Sequence, residues 1–216
     1  MAFPITHMLV AERILESYPS TEMFVLGSVA PDAVHYRNSL LNAPKSELGP
    51  AKKITHLCPI NDEKWGYVTD NEGWIECVRL FLRQNDSPLA IGYAVHVLTD
   101  CFNNKGLWRS FREDFPQEAA KGYKSGYYRD LQEIDLKLYL SRFKGGKIER
   151  LLADAKPSDM PALVSAAEIN AIRDNILYEN YNGRRANFSH KYEFISHDET
   201  LKFIDEAADF ICGLKD

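Results

Sequence analysis

The sequence predicts an all-α protein, and the spacing of its apolar residues is the main reason. Met8, Ile14 and Leu15 recur with the period of a helix and share one side of the first segment. Glu12 and Arg13 lie largely on the other side. No stretch shows sustained two-residue alternation bounded by turns, so we expect little or no β-sheet. Apolar residues make up 45% of the 216 residues, which is enough to bury a sizeable core.

Capping and breaking residues set the expected limits of the helices. The first helix is expected to begin at an N-capping Thr6 and to end at Pro19. A second should begin near Ser20 or Thr21 and stop at Pro31. Further helices are expected over Trp74–Gln84, Leu89–Phe102, Ser125–Phe143, Ile148–Ala155, Met160–Tyr178 and Asp198–Leu214.

Loops and breaks divide these helices without dividing the core. Residues 36–50 carry Asn, Pro, Ser and Gly and are expected to form a loop. The pair Gly145-Gly146 should end the long helix before it, but the chain beyond is still apolar. We therefore expect one domain over residues 1–216, with residues 147–216 as a C-terminal helical subregion.

Composition limits the partners and the compartment. The formal net charge of −5 argues against specific nucleic-acid binding, because proteins that neutralise phosphates are usually basic. The four cysteines form no CxxC pair and lie among apolar residues, so we expect reduced thiols and a cytoplasmic protein. The apolar N-terminal run has no basic region before it, and no stretch approaches the roughly 20 apolar residues of a transmembrane helix.

The strongest local signal for chemistry is the pair His96 and Asp100. Residues four apart on a helix lie on the same face, so an imidazole and a carboxylate can converge there on one metal ion. The surrounding helix is very apolar, and burying two ionisable groups is costly unless something satisfies them. A buried His–Asp hydrogen bond or an exposed helix pair is the simpler alternative.

Three more residues come from other segments. Asp32 follows Pro31 at a chain reversal, where it either points into a site or caps the next helix. His7 and His56 are each, taken alone, compatible with a surface or core histidine. Helical bundles build catalytic metal sites from mixed nitrogen and oxygen ligands on separate helices.

Together these residues resemble a known family. The ordered set His7, Gly27-Ser-Val-Ala-Pro-Asp32, Thr55-His56 and Gly92-Tyr-Ala-Val-His96-Val-Leu-Thr-Asp100 is similar to that of the zinc-dependent phospholipase C family, especially its short bacterial intracellular members. The resemblance covers roughly the first half of the chain. It implies a multi-helix bundle of the phospholipase C / single-strand nuclease type, with metal ions, normally zinc, that serve to cleave phosphoric esters.

The resemblance also implies roles for single residues. His56, His96 and Asp100 would hold one metal ion, and His7 would hold a neighbouring ion that shares Asp100. Asp32 would lie against the water that the metal activates, as a ligand or as a general base.

The chain departs from the family pattern after Asp100. No histidine lies between His96 and His190, so one or two ions fit better than three. Zinc is expected, with Mn²⁺ or Fe²⁺ as alternatives. Asp130, or less favourably Glu133 or Asp135, would supply a missing ligand, unless it is an ordinary charge on a solvated helix face.

Four residues are candidates for supporting roles. His35 would be an additional ligand or would orient one, since it lies near Asp32. Arg184 and Arg185 would contact a substrate phosphate, or form a solvated basic turn. Asp198 is expected to cap the last helix.

The sequence therefore predicts a metal-dependent hydrolase that acts on a small phosphate ester or a phospholipid head group. One alternative is a non-catalytic helical protein that binds a metal or ligand at a degenerate site. Another is an interaction module that uses the aromatic residues between Tyr123 and Tyr128, although core packing explains these equally well.

Overall fold

A computed structural model of the chain describes residues 3–15, 21–41, 48–59 and 65–214. These residues form helices joined by turns and loops, and they contain no β-strand, which confirms the all-α class. The α-helices are α1 (Pro4–Leu15), α2 (Glu22–Gly27), α3 (Arg37–Leu41), α4 (Leu48–Thr55), α5 (Asn71–Gln84), α6 (Pro88–Lys105), α7 (Leu107–Asp114), α8 (Pro116–Ala119), α9 (Gly126–Leu138), α10 (Lys147–Asp154), α11 (Ala166–Asp174) and α12 (His197–Gly213).

Short helical segments of other pitch extend this framework. A 3₁₀ segment, Ala30–Tyr36, joins α2 to α3. Single π-helical turns, Tyr139–Phe143 and Asn175–Glu179, continue α9 and α11. The long helix expected up to Phe143 is therefore present, and the break at Gly145, whose φ is +76°, follows it as predicted.

The predicted start of the second helix is correct, and the predicted cap of the first is wrong. Thr21 caps α2, and its hydroxyl accepts a hydrogen bond of 3.2 Å from the Phe24 amide. Helix α2 ends at Gly27, before the stop predicted at Pro31. The prediction that Thr6 caps the first helix is wrong, because α1 already begins at Pro4. Proline suits the first turn, where its missing N–H needs no partner. The end expected at Pro19 lies outside the described residues.

Two further expectations are corrected. Residues 36–50 are not a continuous loop, because α3 and the start of α4 lie there; residues 42–47 are outside the described part. The helix expected from Met160 begins only after an N-capping Ser165. Met160 and Val164 instead form an isolated antiparallel bridge, around a turn in which Ala162 has a φ of +63°.

The cap of the last helix is Ser196, and the prediction of Asp198 is wrong. The Ser196 hydroxyl accepts a 3.2 Å hydrogen bond from the Glu199 amide, and the Glu199 carboxylate accepts one of 2.8 Å from the Ser196 amide. This reciprocal pair is a capping box, which satisfies two amides that the helix leaves open. Asp198 lies in the first turn, where an acidic side chain favours the helix dipole.

Helix α6 is the centre of the fold, and α1, α2, α5 and α12 pack against it. The closest crossing is with α2, where two glycines let the backbones touch. A Cβ atom on Gly92 would lie 2.0 Å from the Phe24 carbonyl oxygen, and one on Gly27 would lie 2.2 Å from the Leu89 carbonyl oxygen. No larger residue fits at either position without moving a helix.

The C-terminal helices pack onto the N-terminal ones. Helix α10 contacts α2, α11 contacts the 3₁₀ segment, and α12 lies along α1. Apolar residues beyond Gly146 therefore share one core with α1, α2 and α6. Within the described residues, none of the helices combines the length and the apolar character needed to cross a bilayer.

Replacing Gly92 by alanine is expected to lower the free energy of unfolding by about 2–3 kcal/mol, because the new methyl group overlaps backbone atoms of α2. Urea unfolding followed by circular dichroism measures this loss. Gly213→Ala is the control, since a Cβ atom there meets nothing within 4 Å. That change should leave stability equal or slightly higher. Equal losses in the two variants would contradict the close crossing.

Candidate metal centre

Five side chains that the sequence singles out lie together in the structure. His7 comes from α1, Asp32 from the 3₁₀ segment, His56 from the residue after α4, and His96 and Asp100 from adjacent turns of α6. We call these five residues the His/Asp cluster. All are buried except Asp32, whose side chain keeps 17% of its surface exposed. The cluster is therefore closed on the core side and reaches the surface at Asp32.

Distances within the cluster suit ligands that share a cation better than hydrogen-bonded partners. His56 Nε2 lies 3.4 Å from Asp32 Oδ1 and 3.6 Å from Asp100 Oδ2. His96 Nε2 lies 3.9 Å from an oxygen of each carboxylate. These separations exceed ordinary hydrogen-bond lengths. Ligands about 2.1 Å from a tetrahedral zinc ion lie about 3.4 Å apart, which is close to the observed range.

Backbone carbonyls fix the orientation of two imidazoles. The Nδ1–H of His96 donates to the Ser28 carbonyl at 2.8 Å, and that of His56 donates to the Lys52 carbonyl at 3.0 Å. A carbonyl oxygen can only accept, so Nδ1 carries the proton in both rings. Nε2 of each ring then faces the cluster. This arrangement is typical of histidines that bind metals through Nε2.

Several buried atoms of the cluster have no hydrogen-bond partner in the described part of the chain. They are both ring nitrogens of His7, Nε2 of His56 and of His96, and Oδ1 of Asp100. Leaving one buried polar group unsatisfied costs on the order of 1–3 kcal/mol, and most buried groups in proteins avoid this. A divalent cation would satisfy several of these atoms at once. The residues present therefore fit a metal ion.

The protonation states of the cluster also suit a cation. Burial lowers the pKa of His7 to about 3 and that of His56 to about 4, so both imidazoles are neutral at neutral pH. Burial raises the pKa of Asp100, but the surrounding imidazoles of His7, His96 and His56 outweigh it and lower the pKa below its ordinary value. Neutral imidazoles and ionised carboxylates are the ligand forms that zinc takes.

One residue of the site was missed by the sequence analysis. Lys52 is only 5% exposed, and its ammonium donates to Asp32 Oδ1 at 2.8 Å and to His35 Nε2 at 2.9 Å. Burial raises the pKa of Asp32, but the positive charge of the Lys52 ammonium outweighs burial and holds the pKa well below its ordinary value. His35 thus lies beside Asp32, as expected, and contacts it at 3.3 Å.

A cavity of about 350 Å³ adjoins the cluster. Its polar wall contains Asp32, His35 and Lys52, and tyrosines 36, 123 and 128 are among the residues of its other walls. The remaining four members of the cluster do not line this cavity. A small molecule in the cavity would therefore meet the cluster through Asp32.

The aromatic segment between Tyr123 and Tyr128 packs mostly into the core, because Tyr127 and Tyr128 are buried.

Asp130 does not join the cluster. Its carboxylate accepts hydrogen bonds from the backbone amides of Glu193 and Phe194, at 2.9 and 2.8 Å, and lies 2.8 Å from His190 Nε2. It is not among the described groups that could hold a metal ion. Asp130 therefore fixes the loop before α12, and the expectation of an additional ligand at this position is corrected.

The other acidic candidates of α9 are also engaged elsewhere. Asp135 accepts a 3.1 Å hydrogen bond from the Ile5 amide and another from the Tyr181 hydroxyl. Glu133 accepts from the Asn187 amide. Asp135 caps the first turn of α1, and so it supports the helix that carries His7 without reaching the cluster.

Arg184 and Arg185 do not line the cavity beside the cluster. Both are exposed, and the Arg184 guanidinium donates to the Asn180 carbonyl at 3.4 Å. The solvated basic turn that was the alternative describes them better than a phosphate contact.

Comparison of the chain with family models, with curated proteins and with solved structures found no match. The resemblance to zinc-dependent phospholipase C therefore stays a prediction that depends on the motifs and on the cluster.

Asp135 should make stability depend on pH. Burial raises its pKa to about 7, although hydrogen bonds from Tyr181 and the α1 amides oppose the shift. The folded protein keeps this proton up to about pH 7, while the unfolded chain loses it near pH 4. The stabilisation is complete below about pH 4 and is lost as pH rises through 7.

Asp135→Asn keeps the shape and cannot ionise, so its stability relative to the unaltered protein should increase from pH 4.5 to pH 8. The expected change is on the order of 1.4 kcal/mol for each unit of pKa difference. Urea unfolding of both proteins at the two pH values measures it. A stability difference that does not vary with pH would contradict a protonated buried Asp135.

Proposed function

We propose that this chain is a metal-dependent hydrolase that cleaves a phosphoric ester. The observation that carries the proposal is the set of three buried Nε2 atoms, from His7, His56 and His96, that lack hydrogen-bond partners among the described residues and lie beside two carboxylates. The resemblance of the motifs to zinc-dependent phospholipase C adds the reaction class.

His56, His96 and Asp100 would hold the cation, since their ligand atoms form one compact and fully buried group. Two imidazoles and a carboxylate suit zinc, and they also accept Mn²⁺ or Fe²⁺. A divalent cation bound there would lower the pKa of a water molecule and offset negative charge on the phosphoryl oxygens.

Asp32 would orient the attacking water from the boundary between cluster and cavity. Its carboxylate stays ionised and can accept a hydrogen bond from water. Its low pKa makes it a weak base, because general bases work best with a pKa near the operating pH. Asp32 is therefore better suited to orienting the water than to accepting its proton as a general base.

The cavity would hold a small phosphate ester or a phospholipid head group. Its volume of about 350 Å³ lies within the usual range for small-molecule sites. Tyrosine side chains would exclude water around the ester, while Lys52 provides positive charge at the polar wall. A cytoplasmic location belongs to the same proposal, and the four free cysteines support it.

A non-catalytic metal-binding protein is the second candidate. Lys52 favours it, because its ammonium already neutralises Asp32, the carboxylate that would face the substrate. The engagement of Asp130 with its own loop favours it too, since no additional ligand comes from α9. Such a protein would bind the ion without hydrolysing esters.

Metal content tests the site directly. The purified protein, loaded with zinc and desalted, should contain at least one equivalent per chain by elemental mass spectrometry. Asp100→Ala should lose this metal and keep its helical circular dichroism, because one ligand is gone and the helix remains. Asp198→Ala is the control, since that side chain is 99% exposed and does not belong to the His/Asp cluster. Full zinc content in Asp100→Ala would contradict the assignment.

Activity tests the proposed chemistry. Hydrolysis of bis(p-nitrophenyl) phosphate should disappear with EDTA and return when zinc is added. Asp32→Asn should lower kcat by about 100-fold, because the amide no longer orients water as a carboxylate does. Asp198→Asn should act like the unaltered protein. Zinc binding with no hydrolysis of any phosphate ester would favour the non-catalytic candidate.

A further inference from the structure

The number of cations that the cluster can hold is limited by His96. Two groups of described side chains could each hold a metal ion: His7, Asp32 and His96 form one, and His56, His96 and Asp100 form the other. Both groups need His96, whose Nδ1–H is used by the Ser28 carbonyl at 2.8 Å. Only Nε2 remains, and one nitrogen lone pair binds one cation. The two groups therefore cannot both be filled.

A second positive charge is already built into the site. The Lys52 ammonium lies 2.8 Å from Asp32 Oδ1 and 2.9 Å from His35 Nε2. One carboxylate oxygen and one imidazole nitrogen are also typical ligands of a metal ion. The ring of Trp65 covers the ammonium at 5.3 Å from its centroid. Lys52 is thus held by an oxygen atom and a nitrogen atom of the kind that would also bind a second metal ion.

The balance of charge agrees with a single metal ion. Asp32 and Asp100 carry two negative charges and Lys52 carries one positive charge, so the site is left with one net negative charge. One divalent cation makes the site net positive by one, and a second would make it positive by three. Excess charge in a buried site is costly, because desolvation is not repaid. One ion leaves the site matched to a substrate with a single negative charge.

We propose that the site binds one divalent cation and that the Lys52 ammonium takes the place of a second, where it contacts the anionic substrate from the cavity wall. The inference depends on the proposed hydrolase function. It adds the number of metal ions and a residue that contacts the substrate.

Metal stoichiometry tests the inference. The full chain is loaded with excess zinc, desalted and measured by elemental mass spectrometry. One equivalent is expected in the unaltered protein. Lys52→Glu should bind two, because it replaces the ammonium with a further carboxylate beside Asp32 and His35. Lys53→Glu makes the same change of charge one residue along α4, at a position that does not line the cavity, and should stay at one equivalent.

Kinetics provide a second measurement that does not depend on the folding of the glutamate variant. Lys52→Met should raise KM for bis(p-nitrophenyl) phosphate at least tenfold and change kcat less, while Lys53→Met should change neither.

The outcomes separate the two proposals. Two zinc equivalents in an unaltered protein that hydrolyses the diester would overturn the role of Lys52 and leave the hydrolase standing. An unchanged KM in Lys52→Met would also overturn it. An unaltered protein that takes up no zinc would instead remove the proposed function itself.

Discussion

The contact between the backbones of α2 and α6 determines the geometry of the candidate site. Because Gly27 and Gly92 have no side chains, the two helices meet at backbone distance. The Ser28 carbonyl, directly after α2, can then accept the Nδ1–H of His96. The Ser28 hydroxyl donates to the Val25 carbonyl at 2.7 Å and so does not compete for this bond. One helix crossing therefore sets the tautomer and the direction of the central imidazole.

The same crossing also positions Asp32. The 3₁₀ segment that carries it is separated from the end of α2 by only two residues, so its start is fixed by the helix that touches α6. Asp32 and His96 thus depend on one rigid unit, although they are 64 positions apart in the chain. Sites built on packed helices hold their ligands more precisely than sites built on loops. This rigidity would suit a metal site, whose ligand distances vary by only about 0.2 Å.

Sequence reasoning found the parts of the fold and the site that depend on local spacing. Helical periodicity identified most of the helices, although not the shorter α3, α4, α7 and α8. The four-residue interval between His96 and Asp100 placed both on one face of α6. Lys52 precedes His56 by the same interval, so local spacing offered a signal for it as well. Its role was not visible, because its partner Asp32 lies on another segment.

The errors of the sequence analysis share a physical cause. Asp130 and Asp135 are acidic residues in one helix and look alike in the sequence, yet their partners lie at least 46 residues away on different elements. Thr6 has the right chemistry for a cap, but the Ile5 amide before it is satisfied by Asp135 across the core. Such long-range hydrogen bonds leave no trace in local periodicity, so neither the roles nor the start of α1 could be read from it.

The bond between the Ile5 amide and Asp135 has a consequence for the order in which the protein assembles. Synthesis makes His7 first among the cluster residues, but α1 is held by Asp135, by Tyr181 through that carboxylate, and by α12. A nascent chain that ends before α12 lacks the last of these supports, although it already contains every cluster residue. The packing around α1, which carries His7, is therefore completed only after nearly the whole chain has been synthesised.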